Sequence, residues 1–119
     1  MKDIIRKYAD LPFRYGLDCC AFVAECIETN TGRRVNFEYE TEAQAQSILD
    51  RFGSLEAAIT DRLGKPYFGF EDGFVALVKT RAQEVAGIIY QGRVVVRVAT
   101  GLNDLPAHRA YKVWNPWAS

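Results

Sequence analysis

The sequence has little of several features that mark common classes of protein. Its 119 residues include a single histidine and three cysteines, and fifteen basic residues balance fifteen acidic ones, so the formal net charge is zero. A neutral chain has no long-range field to attract nucleic acid or an anionic membrane. No apolar run approaches the length of a bilayer span, and residues 1–7 lack the apolar stretch of a signal peptide. We therefore expect no nucleic-acid partner, no membrane insertion, and synthesis in the cytoplasm without a signal peptide.

The cysteines do not follow the pattern of a disulfide framework. Cys19 and Cys20 are adjacent, Cys26 lies further along the same predicted helix, and the odd number leaves one thiol over. This favours folding in a reducing compartment. The spacing also fits neither a CxxC zinc pair nor an iron–sulfur run, so we expect no metal and no cofactor.

What is present is the composition of one globular domain. Apolar residues make up 49% of the chain and charged residues 25%, which suits a single hydrophobic core at this length. Helical periodicity predicts helices at residues 2–10, 19–31, 43–51 and 55–63. Runs rich in Val, Ile and aromatic residues predict strands at 74–79, 85–90, 93–99 and 110–114, with 101–107 as a loop. The sequence therefore predicts an α+β fold, one domain over 1–119, with helices packed on an antiparallel sheet of about four strands.

Three local signals fix the ends of these elements. Thr41 and Gln44 form a capping box ahead of the third helix, and Ser54 is the N-cap of the fourth. Gln91-Gly92 between two strands predicts a tight hairpin turn.

The second predicted helix carries the residue with the strongest chemical potential, Cys19. Asp18 is a plausible N-cap, and apolar residues repeat with helical spacing from Cys19 to Ile27, which predicts that Cys19 faces the core. Unpaired N–H groups and partial positive charge at a helix start favour a thiolate, and a histidine on a neighbouring strand could serve as its base. The alternative is that Cys19 is a small buried apolar residue, as free cysteines often are. Both interpretations stay open from the residues alone.

The chain also resembles a known family. Residues 12–23 read PFRYGLDCCAFV, an aromatic-x-Gly loop leading to Asp-Cys at the head of a helix. This segment resembles the nucleophile segment of the NlpC-type branch of the papain-like cysteine peptidases. With its later motifs the chain is more closely similar to small papain-like domains of unknown function encoded in tailed-phage tail gene clusters, and the resemblance implies a papain-like fold. Those motifs are Thr31-Gly32, YETEAQA at 39–45, Gly101-Leu102 and AYKVW at 110–114.

The resemblance implies a base that is not in its expected place. In active NlpC-type enzymes a histidine opens the second strand and a cysteine in the position of Cys19 is the nucleophile. Here the strand reads VAGIIY at 85–90, so Val85 occupies the histidine position, and the single histidine, His108, lies in the loop before the last strand. A reaction without general acid–base assistance loses about 10²–10⁴ in rate. The balance is therefore against an enzyme, without deciding the question.

Two functions follow from the resemblance. The first is a structural or assembly component of a phage tail tip or baseplate, built on a degenerate cysteine-peptidase fold. Its partners would be other tail-tip or baseplate proteins, and its location the virion tail. The second is an active peptidoglycan-cleaving hydrolase that acts as the genome enters the host, with Cys19 as nucleophile, His108 as base and peptidoglycan as partner.

Aromatic residues are concentrated near the C-terminus and in one Gly-punctuated segment. A core of this size can absorb several of them, and aromatic side chains are also the usual anchors of protein interfaces. The alternative is that they close the open side of the sheet. The interface candidates are Phe68, Phe70, Trp114 and Trp117.

Overall fold

In the part of the chain that it describes, the structure, a computed structural model, has four helices followed by five strands. It describes residues 2–10, 19–34, 42–67, 69–79, 84–98 and 101–117. The helices are α1 (Lys2–Asp10), α2 (Cys19–Thr31), α3 (Glu42–Phe52) and α4 (Leu55–Leu63). The strands are β1 (Val75–Lys79), β2 (Glu84–Tyr90), β3 (Arg93–Val98), β4 (Gly101–Pro106) and β5 (Ala110–Trp114), with a short 3₁₀ helix (Ala107–Arg109) between the last two. The predicted α+β class is confirmed.

The sequence signals at the helix ends correspond to observed caps where the structure describes them. The Ser54 hydroxyl accepts a hydrogen bond from the Ala57 N–H at the start of α4, as an N-cap does. Gly64 ends that helix at a φ of +88° and donates its N–H to the Thr60 carbonyl. Thr41, the first residue of the predicted capping box, lies outside the described residues. In α2 the predicted apolar face is buried at Phe22, Val23, Cys26 and Ile27.

The sheet is antiparallel, with the strand order β4-β3-β2-β1-β5. It has five strands instead of the predicted four, because residues 101–106 pair with β3 along their whole length. The prediction of a loop there was wrong. The segment contains Asn103 and Asp104, both exposed, and no β-branched residue, so backbone pairing forms a strand that side-chain preference does not indicate.

The sheet is curled, as the short connection between its two edge strands requires. In a flat sheet β4 and β5 would lie four strand spacings apart, about 19 Å. The 3₁₀ helix that joins them advances about 2 Å per residue, or roughly 8 Å from Pro106 to Ala110. The edges must therefore approach each other on one side of the sheet. Gly87 permits this tight curvature, since a Cβ there would lie 2.6 Å from the Val95 carbonyl oxygen.

Apolar side chains accordingly form two clusters, one on each side of the sheet. The helix-facing core joins the helices to the outer side of the sheet and includes Tyr8, Phe22, Cys26, Leu77, Ile88 and Trp114. The inner cluster fills the curl and includes Phe74, Ala76, Val78, Val85, Ile89, Val94, Val96 and Val113. Because both sides are buried, the central strands are apolar at almost every position.

One charged side chain is buried at the helix-facing core. Arg97 is 2% exposed. Its Nη1 donates to the Tyr8 carbonyl in the last turn of α1 at 2.6 Å and to the Gly101 carbonyl at 3.2 Å. The guanidinium therefore links the end of α1 to β3 and β4.

Among the helices of the described residues, α2 is the longest with 13 residues, whereas a bilayer-spanning helix needs about 20. Within the described ranges, no helix has the length and apolar character to cross a membrane.

Candidate functional site

Cys19 is the first residue of α2, as the sequence predicts for the candidate nucleophile. The helix packs across β2 and β3, with Phe22 and Cys26 in the helix-facing core. The side chains of Cys19 and Cys20 lie outside the described part of the structure, and so does Asp18, the predicted cap. The predictions for the Cys19 thiol, as nucleophile or as buried apolar residue, therefore stay predictions.

Val85 does not face α2. It lies in the inner cluster, across the strand pair from Val78 and on the side of the sheet away from the helices. The β2 residues in the helix-facing core are Ala86 and Ile88. Val85, which the resemblance places at the histidine position, therefore does not face the Cys19 helix. A one-residue change in register moves a side chain to the opposite side of a sheet, and a strand that is apolar on both sides hides the register from the sequence.

His108 lies in the 3₁₀ helix between β4 and β5, and its side chain is exposed. The residues that flank this turn, Leu105 and Ala110, pack against the inner cluster. The described contacts therefore associate the His108 segment with the side of the sheet away from α2. A His108–Cys19 pair stays a prediction.

A polar group at the end of β1 was not anticipated from the sequence. The Tyr111 hydroxyl donates a hydrogen bond to the Glu84 carboxylate, and the Lys79 ammonium lies 4.8 Å from the centre of the Tyr111 ring. Burial, followed by the Glu84 hydrogen bond, raises the pKa of Tyr111 well above its usual range. By strand alternation with Ala86, Glu84 opens β2 on the helix-facing side. Glu84, directly before Val85 in β2, is thus a carboxylate that accepts a hydrogen bond from a phenol.

Cys26 is a core residue. Its side chain is fully buried in the helix-facing core, and burial raises the pKa of the thiol to about 12. A thiol with that pKa is protonated at neutral pH and is a poor nucleophile. Because its side chain is fully buried, Cys26 has a packing role in the core.

The predicted interface aromatics fall into different environments. Trp114 is fully buried, and its Nε1 donates to the Thr60 hydroxyl at 3.3 Å, so the prediction that it is an interface anchor was wrong. Its position on β5 beneath α4 gives it a structural role. Phe70 is 52% exposed and Trp117 is 50% exposed, which suits an interface. Phe68 lies outside the described residues.

Two of the exposed aromatics flank a buried ring. The Tyr67 ring lies 5.8 Å from the Phe74 ring in an edge-on arrangement, and the Trp117 ring lies 6.2 Å from Phe74 on another side. Tyr67 is 52% exposed and Phe74 only 3%. We call Tyr67, Phe74 and Trp117 the aromatic row. It lies at the start of β1, at the opposite end of that strand from Lys79 and Tyr111.

Trp117 is held in place although half of it is exposed. Gly73 lies under its indole, and a Cβ on Gly73 would come within 2.4 Å of the ring. The Trp117 N–H donates to the Asn115 side-chain oxygen at 2.9 Å, which closes a local turn. Pro116, between them, is buried. The sequence signals for this arrangement are the Asn-Pro pair before the tryptophan and the glycine before Phe74.

Within the described ranges, no three His, Cys, Asp or Glu side chains converge in a way that could hold a metal ion. Two regions are thus candidates for a functional site: the start of α2, where Cys19 lies, and the aromatic row.

A family model described as Domain of unknown function (DUF6950) matches residues 1–115, nearly the whole chain. No curated protein and no solved structure matches.

Proposed function

We propose that this chain, which belongs to the DUF6950 family, is a structural component of a phage tail tip or baseplate built on a degenerate cysteine-peptidase fold. In this role it binds neighbouring tail proteins and performs no chemistry. The resemblance of residues 12–23 and the later motifs to small papain-like domains of phage tail clusters supplies the context of the proposal.

The observation that carries the proposal is the exposed and fixed aromatic surface at the start of β1. Tyr67 and Trp117 each expose about half of their side chains while their rings contact Phe74, and Phe70, in the same segment as Tyr67, is equally exposed. Large aromatic side chains that are immobilised before binding lose little conformational entropy in a complex, which makes them effective interface anchors. The zero net charge of the chain removes a long-range repulsion that would oppose assembly.

The position of the single histidine supports a structural role over a catalytic one. His108 is exposed on the connection between the two edge strands, and Leu105 and Ala110, before and after it, pack on the inner cluster. The β2 side chains buried in the helix-facing core, Ala86 and Ile88, are aliphatic, and Tyr90 packs against them at the edge of the core. An imidazole base for a thiol at the start of α2 has no support from these contacts.

We expect the chain to be present in purified tails and Trp117→Ala to reduce its incorporation about tenfold, because loss of a central aromatic anchor typically costs more than 1 kcal/mol of binding. The measurement is quantitative mass spectrometry of tails isolated on a density gradient from cells expressing the wild-type or variant chain. Tyr111→Ala is the matched control, since it removes an exposed ring at the other end of β1. A wild-type chain absent from the tails contradicts the proposal.

A second candidate function is a peptidoglycan-cleaving cysteine hydrolase, and one observation favours it. Helix α2 begins at Cys19 and packs on the sheet, which is the placement that activates a cysteine through the helix N-terminus. His108, or a residue of a partner, would act as base.

For the hydrolase we expect clearing of purified sacculi in a zymogram by the wild-type protein and none by Cys19→Ala. Cys20→Ala is the matched control, because it removes the adjacent thiol and should leave the clearing unchanged. Equal clearing by wild type and Cys19→Ala, or clearing by neither, rejects this function. The structural proposal expects clearing by neither.

A further inference from the structure

We propose that the aromatic row binds a proline-rich segment of a partner chain in the polyproline II conformation, with a basic residue of that segment next to Glu71 and Asp72. This inference rests on the proposed docking role and specifies the chemistry of the partner.

The spacing of the rings suits an extended proline-rich ligand. Tyr67 and Trp117 each lie about 6 Å from Phe74, so the two exposed rings are separated by no more than twice that distance. A polyproline II helix has three residues per turn and advances about 9 Å per turn. Residues on successive turns of one ligand can therefore each contact one exposed ring, with the Phe74 ring buried between them.

The chemistry of the two exposed side chains also suits proline. Tyrosine and tryptophan combine a flat apolar ring with one polar hydrogen at its edge. The flat ring can pack against a pyrrolidine ring, and the hydroxyl or indole N–H can donate to a backbone carbonyl that a polyproline II helix leaves free. Aromatic-lined grooves are the usual binding sites for such segments, because the ligand is already ordered before it binds.

The aromatic row, like a polyproline II ligand, is ordered before binding. Gly73, at a φ of +92°, leaves space that the Trp117 indole occupies, and Asn115 fixes the backbone of Trp117 through its side-chain oxygen. Tyr67 is fixed by its N–H, which donates to the Val113 carbonyl of β5 at 2.6 Å. Two preordered surfaces lose little entropy on association, so a small contact can give measurable affinity.

Charge near the row indicates the flanking residue of the ligand. Glu71 and Asp72 are exposed in the segment that leads into Phe74, and one Asp72 oxygen accepts the Gln91 N–H at 2.8 Å. Lys65 is exposed on the other side, two residues before Tyr67. A basic ligand residue would be attracted to the acidic end of the row, and it would set the direction in which the segment binds.

The test is fluorescence anisotropy with the full chain and labelled synthetic peptides. The probe is a ten-residue proline peptide with arginine at each end, and the comparison peptides replace the arginines by glutamates or the prolines by a glycine–serine repeat. We expect saturable binding of the first, weakening by about fivefold or more with glutamates, and no binding of the glycine–serine peptide. Trp117→Ala and Tyr67→Ala should each weaken binding about tenfold, whereas Tyr111→Ala should change it less than twofold.

A second variant separates the position of Trp117 from the folding of the domain. Gly73→Ala keeps the tryptophan in the sequence but forces its indole out of the present position. This variant should weaken peptide binding at least as much as Trp117→Ala does. Circular dichroism and a urea titration establish that each variant is folded at the assay temperature, and a variant that is not folded is replaced by Trp117→Leu, for which the same loss is expected.

Other outcomes overturn the inference without touching the docking role. No binding of the proline peptide, equal binding of the glycine–serine peptide, or binding of soluble peptidoglycan strands in its place each contradicts a proline-rich partner. If Trp117→Ala still lowers incorporation into tails in those cases, the structural function stands and the partner chemistry is a different one. If none of the variants is incorporated into tails less than the wild type, the docking role itself is contradicted.

Discussion

Replacing Arg97 with alanine is expected to lower the free energy of unfolding by about 4 kcal/mol, a large part of the roughly 5–15 kcal/mol that holds a domain folded. The side chain is 2% exposed and fills space beside the Tyr8 ring, with Cζ 5.5 Å from the ring centre. Alanine leaves a cavity there and removes the donor for the carbonyls of Tyr8 and Gly101. Because Tyr8 lies in the last turn of α1, its carbonyl has no partner further along the helix.

The electrostatic part of this effect has a definite direction. The last turn of a helix carries partial negative charge, which a buried guanidinium stabilises. Arg97→Met keeps most of the side-chain volume but not the donors or the charge, so it should cost about 2 kcal/mol, the range of an unsatisfied buried acceptor. Urea denaturation followed by circular dichroism measures both values.

Arg93 on the same strand is the matched control. It is exposed and pairs with the exposed Asp104, so Arg93→Ala should cost less than about 1 kcal/mol, as surface ion pairs do. If Arg97→Ala is no more destabilising than Arg93→Ala, the buried guanidinium does not hold α1 to the sheet.

The two arginines also show what the sequence could not reveal. In RVVVRV both look alike, and no local pattern separates the one that is exposed from the one that lies under a helix. The difference arises from α1, which comes some 90 residues earlier in the chain and whose last turn reaches the Gly101 backbone. A contact between such distant segments has no local signal.

The helices and four of the strands could be predicted because their ends carry local chemistry. Ser54 and Gly64 mark α4, and Gln91 and Gly92 form the hairpin turn with φ values of +52° and +77°. β4 could not be predicted, because its residues have little intrinsic preference for a strand. Its backbone pairs with β3 along its whole length, and this long-range pairing has no signal in the local sequence. The curl of the sheet explains why the sequence does not show which side of the sheet Val85 faces, since alternation is visible only when one side of a strand is polar.

For the candidate site, the sequence predicted which helix or strand carries each residue better than it predicted whether the side chain is buried or exposed. It placed Cys19 at the start of α2 and Phe70 and Trp117 at a surface, and the structure agrees on these positions. It did not separate Trp114 from Trp117, because both lie beside Pro116 and only the strand pairing of Trp114 with Val75 turns that ring toward the core. The Glu84–Tyr111 pair was missed because its two residues are 27 positions apart.

Above pH 9 the protein is expected to lose stability through Cys26 as the pH rises, by a total on the order of a few kcal/mol near pH 12. Burial raises the pKa of this thiol from 9.0 to about 12 in the folded protein. Between these values the unfolded chain releases the thiol proton while the folded chain keeps it, so the unfolded state binds fewer protons and a rise in pH favours unfolding. Below pH 9 the thiol is protonated in both states, and its contribution is fully present.

Cys26→Ala isolates this term, because it removes the titrating thiol and leaves Tyr8 in place. Burial and then Glu25 raise the pKa of the Tyr8 hydroxyl, so Tyr8 adds to the loss of stability at higher pH in both proteins. The alanine variant should be less stable at pH 7, because a buried group is lost, and its stability should decline less steeply between pH 9 and 12. Parallel curves for the two proteins would show that the Cys26 thiol titrates equally in the folded and unfolded states. The measurement is urea denaturation at several pH values between 9 and 12, from which the slope of the free energy of unfolding against pH is compared for the two proteins.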